Sequence, residues 1–115
     1  MSIQWNAVNI YLQPGITDMR KHINGLAAWV QEQMKQDTFG GSLFLFCSRD
    51  RKRLKILYWE RNGFCLWVKR LEQDKFPWPQ DQAAAFKIRP DELAMLLSGV
   101  DFFHAHQEIK YSHVA

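Results

Sequence analysis

The strongest concentration of charge in the sequence lies in SRDRKRLKILYW, residues 48–59. Four of its cations fall within five positions, and Asp50 is the only anion among them: Arg49, Arg51, Lys52 and Arg53. Residues 48–71 carry eight cations and two anions, whereas the whole chain has a net charge of only +3. A local positive field of this kind attracts polyanions, of which nucleic acid is the usual one. The alternative interpretation is an ordinary solvated turn between two strands.

Phosphate groups would be held by the turn and by cations of the strands beside it. We assign this role to Arg49, Arg51, Lys52, Arg53, Lys55, Lys69 and Arg70. Three aromatic residues of the same strands, Tyr58, Trp59 and Trp67, could stack on the bases of a single strand. Aromatic residues in strands more often belong to the core, so we favour a structural role for these three.

A second candidate anion site is TDMRK, residues 17–21. Thr17 suits the N-cap of a helix, and this places Arg20 and Lys21 in its first turn, against the positive end of the helix dipole. A bound anion would explain this unfavourable placement, with Thr17, Arg20 and Lys21 as its ligands. The alternative is that both cationic side chains point into water. A weaker hypothesis is an enzymatic or nucleotide-binding role at this helix start.

Sequence signatures of catalysis are absent. The chain contains no GxxxxGK[ST], GxGxxG, GxSxG or HExxH, and its carboxylates are scattered. We therefore expect no catalytic residues, no cofactor and no metal. The histidines near the C-terminus, His104, His106 and His113, are more typical of a solvated tail than of a metal site. The two cysteines, Cys47 and Cys65, indicate buried thiols in a reducing cytoplasm.

The periodicity of apolar residues predicts seven elements. Strands are expected at 8–12, 42–47, 54–60, 64–71 and 85–89, a helix from Thr17 to about Gln36, and a short helix from Pro90 to a C-cap at Gly99. Asn62-Gly63 predicts a two-residue hairpin turn, which would pair Trp59 with Leu66. The predicted fold is α+β: a small antiparallel sheet of four to five strands in the order β-α-β-β-β-β-α, packed on one long N-terminal helix, with a short C-terminal helix.

Both faces of the predicted hairpin are largely apolar. Alternation puts Leu57, Trp59, Leu66 and Val68 on one face, and Leu54, Ile56, Tyr58, Cys65 and Trp67 on the other. The long helix can cover one face, and the other needs a second cover or a partner. FPWP, residues 76–79, cannot continue a strand because proline lacks a ladder donor. We consider Phe76 and Trp78 as partner contacts, with an internal cover over the sheet as the alternative.

Length and composition predict one folded domain. The chain has 115 residues and is 47% hydrophobic, which suits a single core. We expect one α+β domain over residues 1–103 and a C-terminal tail over 104–115. No apolar run approaches the ~18 residues of a membrane span, and no secretory signal precedes the first strand, so we expect a cytoplasmic protein without membrane contact.

Five ordered segments of the sequence resemble a known family. These are TDMRK…GLA, G.LFLF, RLKILYWERNGFCLWVKRLE, F.WP and LLSGVD, which together cover roughly residues 8–102. They resemble the TnpB accessory proteins of the sixty-six family of bacterial insertion sequences, the products of the second open reading frame. Val100 and Phe102 stand where members often have Leu and Trp. The resemblance implies a helper encoded beside a separate DDE-type transposase, and it carries no agreed catalytic residues.

The charge pattern and the resemblance lead to one hypothesis. The protein is a non-catalytic accessory protein for transposition that binds DNA at the ends of the element through a basic hairpin. Its expected partners are this DNA and the transposase, and self-association is compatible with the sequence. The alternative is a protein–protein interaction module that docks on the transposase, or on a second copy, without direct DNA contact.

Overall fold

A computed structural model describes residues 9–81 and 84–99 of the chain. The elements are β1 (Ile10–Leu12), α1 (Ile23–Glu32), β2 (Leu43–Cys47), β3 (Arg53–Glu60), β4 (Gly63–Arg70), β5 (Phe86–Ile88) and α2 (Pro90–Leu97). The α+β class and the order of elements are as predicted. The predicted tail, with its three histidines, lies outside the described residues. Neither described helix has the length and apolar character needed to cross a membrane.

The five strands form one mixed sheet in the spatial order β4-β3-β2-β1-β5. β1 and β2 are parallel neighbours, with Ile10 opposite Leu43, and the other neighbouring pairs are antiparallel. The predicted fully antiparallel sheet is therefore wrong for one pair. The chain crosses from β1 to β2 through α1, and such a crossover returns it to the same end of the sheet.

Helix α1 has ten residues and is much shorter than the predicted helix over 17–36. Before it, the Asp18 carboxylate accepts hydrogen bonds from the backbone N–H and the guanidinium of Arg20, and this stabilises a turn. The N-cap is His22. After the helix, Lys35 adopts a left-handed φ of 56°, which ends the regular backbone. The predicted buried stripe is nevertheless present, since Leu26, Val30 and Met34 are buried and Met19, Ile23 and Ala27 pack beside them.

The β3–β4 hairpin turns one residue earlier than predicted. Its loop is Arg61-Asn62, with Glu60 paired with Gly63 and Leu57 with Leu66, so the predicted register is wrong by two residues. The left-handed residue of the turn is Arg61, with φ 54°. A slip of two residues keeps each side chain on its face, because faces alternate with a period of two. The predicted division of the hairpin into two apolar faces is therefore correct.

The chain itself covers both faces of the central strands of the sheet. On one face α1 packs on Phe44, Phe46 and Leu57. On the other face, α2 and the FPWP segment cover a larger cluster that includes Leu54 and Ile56. Phe76 and Trp78 are 0% and 4% exposed, and the Trp78 indole N–H donates to the carbonyl of Gln13 at 2.9 Å. The prediction that these two side chains contact a partner is wrong, because FPWP is an internal cover.

Candidate nucleic-acid interface

The carboxyl ends of β1 and β2 bring two loops together at one edge of the sheet. The loop after β1 contains residues 16–20, and the loop after β2 contains the basic turn. They are joined where the Thr17 N–H donates to the Cys47 carbonyl at 2.9 Å. Between them lies a cleft of about 780 Å³ lined by Ile16, Thr17, Asp18, Met19, Arg20, Ser48, Arg49, Asp50 and Arg53. The two cationic sites that the sequence predicted separately therefore meet in one cleft.

The basic turn is built around Asp50. Its carboxylate accepts a hydrogen bond from the Ser48 hydroxyl at 2.6 Å and another from the Lys52 N–H at 3.1 Å. These bonds, with the nearby charges of Arg53 and Lys52, lower the pKa of Asp50. The Ser48 hydroxyl oxygen in turn accepts from the Arg53 N–H at 3.1 Å. The single anion of the turn thus organises its backbone.

Later segments of the same chain also fix the turn. The Leu71 N–H donates to the Lys52 carbonyl, and the Phe76 N–H donates to the Arg51 carbonyl, each at 2.7 Å. The second bond links the turn to the buried FPWP segment. Arg51 has a left-handed φ of 59°, a conformation that is costly for a residue with a side chain. The turn is therefore a fixed support for its side chains.

The four cationic side chains of the turn have no carboxylate partner within residues 9–81 and 84–99. The ion pairs in this part of the chain involve Arg20, Arg70 and Arg89 instead. Arg49 and Arg53 are exposed, and Arg51 and Lys52 are half-buried. Four cations held close together, with the Asp50 carboxylate as the one anion among them, repel one another, and a bound polyanion would relieve this repulsion.

Lys55 is used inside the protein, contrary to its predicted place among the phosphate contacts. The residue is 7% exposed, and its ammonium donates to the carbonyls of Met19 at 2.8 Å and Lys21 at 2.9 Å. Burial lowers the pKa of Lys55, and the nearby positive charge of Arg53 lowers it further. Lys55 therefore fastens the Arg20 loop to β3 instead of facing a ligand.

The other two predicted strand cations also have internal partners. The Lys69 ammonium donates to the Leu97 carbonyl at 2.9 Å, where it satisfies the C-terminal end of α2. The Arg70 guanidinium pairs with Glu72 at 2.9 Å in an exposed ion pair. Lys69 is thus committed to the fold, while Arg70 lies at the surface and its predicted contact with phosphate stays a prediction.

The predicted anion seat at Thr17 differs from the observed geometry. Thr17, Arg20 and Lys21 all precede α1, so none of them faces its dipole and the premise of the prediction is wrong. Thr17 is not an N-cap. Arg20 is exposed and forms a 2.7 Å ion pair with Asp18, which lowers the pKa of Asp18. Anion binding by this loop stays a prediction that now rests on its position beside the basic turn.

The aromatic side chains of the hairpin lie away from the cleft. Tyr58 is buried. Trp59 packs edge-to-face on Phe39 and Phe64, with ring centroids 5.0 and 4.9 Å apart. This aromatic group is at the opposite end of β3 from Arg53, roughly 20 Å away for six residues of strand. The cleft itself is lined by charged, polar and aliphatic side chains, which suit phosphates better than stacked bases.

The two thiols do not form a reactive pair. Cys47 lies opposite Leu54, whereas Cys65 lies opposite Tyr58 one strand further along. Both are free, and burial raises the pKa of the Cys47 thiol to about 12. Among the described residues, no three His, Cys, Asp or Glu side chains come together in a way that could hold a metal ion.

Comparison with known proteins identifies the family of this chain. The family model described as IS66 Orf2 like protein matches residues 8–107. The chain belongs to the IS66 Orf2-like family. Among its relatives are two uncharacterized proteins of Sinorhizobium fredii, y4hO and y4jC. The first is 38% identical over 100 residues, covering 87% of each chain, and the second is 34% identical over 85 residues, covering 74% of this chain and 73% of its own. No solved structure matches.

The family match confirms the resemblance stated from the sequence segments. Sequence reasoning did not foresee the groups that organise the cleft of this IS66 Orf2-like protein, namely Ser48, Asp50 and Asp18. The Ser-x-Asp spacing at 48–50 is a turn signal that could have found two of them. The third requires the parallel pairing of β1 with β2, which brings its loop to the basic turn.

Proposed function

We propose that this IS66 Orf2-like protein is a non-catalytic accessory factor for transposition that binds the DNA of the element ends through the cleft. One observation carries the proposal. The turn cations form no ion pair with a carboxylate among the described residues, and two of them, Arg49 and Arg53, line a cleft together with Arg20. Family membership supports the link to transposition, since the family is named for an insertion-sequence reading frame.

The physical basis of the proposed binding is neutralisation of phosphate charge. Arginine side chains donate to phosphate oxygens in a bidentate manner, and a fixed turn loses little conformational entropy when it binds. Each phosphate neutralised on duplex DNA contributes about 0.9 to the slope of log affinity against log salt. The turn and the Arg20 loop together would therefore give a binding mode that is strong at low salt and weak at high salt.

The test compares two variants of equal charge. The first, called the cleft variant, changes Arg49 and Arg53 of the cleft lining and the neighbouring Lys52 to Gln. The control changes three exposed cations outside the cleft lining, Lys35, Arg61 and Lys87, to Gln as well. Binding to duplexes with the element's terminal repeats is measured over a range of salt, with and without the transposase. The cleft variant should lose affinity and flatten the salt slope by about 2–3, if two or three of its cations contact phosphate.

The control determines what kind of binding has been measured. The control variant should keep a salt slope closer to that of the parent protein, because the same net charge has been removed away from the cleft. Equal losses in both variants would indicate general attraction to a basic protein and would reject the cleft as the site. Wild-type affinity and slope in the cleft variant, with transposase present, would reject DNA binding by the turn altogether.

A second candidate function is docking on the transposase without DNA contact. Phe39 favours it, because this side chain is 54% exposed and lies on the aromatic group with Trp59 and Phe64, far from the cleft. Exposed aromatic residues are enriched in protein interfaces. Loss of co-purification with the transposase in Phe39→Ser, together with intact co-purification of the cleft variant, would support this function.

A further inference from the structure

Strand β4 forms an outer edge of the described sheet and is poorly protected against pairing. It has eight residues, and Phe64 to Val68 are five consecutive residues without charge, proline or glycine. Natural edge strands usually carry a guarding charge, a proline or a bulge. The nearest cations lie beyond this run: Lys69 reaches back to α2, and Arg70 stands at the end of the strand, where it pairs with Glu72.

The hairpin register identifies the backbone groups that face outward. The pair that closes a two-residue loop is hydrogen-bonded, and here that pair is Glu60 and Gly63. Hydrogen-bonded pairs alternate along the ladder, so the N–H and C=O groups of Phe64, Leu66 and Val68 point away from β3. The side chains of these three residues share the face that carries Leu57. Val68 is 51% exposed on this face.

We infer that β4 pairs antiparallel with β4 of a second copy, centred on Leu66, so that two five-stranded sheets join into one. A two-fold axis perpendicular to the sheet keeps corresponding faces on the same side. Leu66 then lies opposite Leu66 of the other copy, and Phe64 lies opposite Val68. The backbone N–H and C=O groups of all three residues point away from β3, so both pairs are hydrogen-bonded pairs. The exposed Val68 side chain gains an aromatic neighbour across the new strand pair.

The distribution of charge along the edge favours a second copy in this antiparallel register. The cationic end of β4, with Arg70, lies beside the turn end of the other copy, which carries Asn62 and Glu60. Parallel pairing would place the two Arg70 side chains next to each other, and like charges opposite each other destabilise a ladder. A shift of two residues toward the cationic end would set Arg70 opposite Phe64. The Leu66 register alone matches apolar with apolar throughout the uncharged run.

The proposal is tested on the full-length protein without DNA. Sedimentation velocity over a range of concentrations should show a species of twice the monomer mass. Residue-resolved amide hydrogen exchange should show that the N–H groups of Phe64, Leu66 and Val68 exchange fast in dilute protein. Their exchange should become slower as the protein concentration and the dimer fraction rise. A protein that stays monomeric, or a dimer in which these amides still exchange fast, overturns the proposal.

Two substitutions at one position sharpen the test. Val68→Pro removes an outward N–H, which an edge strand tolerates, so the protein should fold and become monomeric. Val68→Thr keeps the N–H and the β-branched shape, so it should remain a dimer. A Val68→Pro protein that folds and still dimerises overturns the inference. If Val68→Pro fails to fold, the exchange measurement on the parent protein decides the question.

Discussion

The two halves of SRDRKRLKILYW hold cations in opposite ways. In the turn half, Arg49 and Arg53 extend outward from a backbone fixed by Ser48 and Asp50. In the strand half, the one cation, Lys55, is buried and donates to two carbonyls of a loop more than thirty residues away. The comparison shows that local charge density in a sequence does not measure the charge offered to a ligand. Burial and hydrogen bonding decide which cations remain available.

The largest predicted effect separates the exposed turn from the buried segment that its backbone contacts, and it is an effect on stability. Phe76 is fully buried, and its N–H donates to the Arg51 carbonyl of the turn. Phe76→Ala should lower the free energy of unfolding by about 3–5 kcal/mol, because it opens a cavity under the FPWP cover. Denaturant unfolding measures this. The control, Arg49→Ala in the exposed turn, should change stability by less than about 0.5 kcal/mol. Similar losses of stability in Phe76→Ala and Arg49→Ala would contradict the division between a buried structural segment and an exposed turn.

The second prediction concerns the buried cation. Lys55→Met keeps the side-chain length but leaves the carbonyls of Met19 and Lys21 without their donor. Stability should fall by about 1–3 kcal/mol, the usual effect of unpaired buried polar groups. Lys52→Met, in the turn, should have little effect. Unchanged or increased stability of Lys55→Met would show that the desolvation of the ammonium outweighs its two hydrogen bonds.

The third prediction uses the thiol that ends β2 beside the turn. Burial raises the pKa of Cys47 from 9.0 to about 12, so between these values the unfolded chain releases this proton and the folded protein keeps it. The contribution of the buried Cys47 thiol to the free energy of unfolding is therefore fully present below pH 9. It declines above pH 9, and the loss is about 1.4 kcal/mol at pH 10. Tyr58, whose pKa is raised to about 12 mainly by burial, acts in the same direction.

Cys47→Ala is the control for this pH dependence. The substitution lowers overall stability but should make the decline between pH 8 and 10 clearly shallower. Chemical denaturation at several pH values measures both effects. An equal slope in the two proteins would show that the Cys47 thiol is not the source of the decline.

The smallest expected effect is at the left-handed residue of the turn. Arg51 has φ 59°, which glycine adopts without strain. Arg51→Gly should leave stability unchanged or raise it by up to about 1 kcal/mol, whereas Arg51→Val should lower it. Thermal unfolding of the pair measures the difference. A gain in Arg51→Val would show that the left-handed backbone is not required there.

Much of the fold followed from periodicity in the sequence. Apolar residues at helical spacing identified the buried stripe through Leu26 and Val30, although the helix itself is shorter. Alternation in the hairpin assigned its two faces correctly even though the register was wrong by two residues, because only a shift by an odd number exchanges faces. Pro90 and Gly99 marked the ends of α2, since proline suits the first helical position and glycine the left-handed residue after it.

The sequence by itself determined the family, the order of elements, the core faces and the position of the basic turn, because these depend on short-range patterns. Only the tertiary structure decided which cations are available, since Lys55 and Lys69 are satisfied by carbonyls distant in sequence. It also decided that β1 and β2 are parallel, which brings the Arg20 loop to the basic turn. Pairing between strands and burial of side chains are long-range outcomes of packing, and local residue types do not encode them one position at a time.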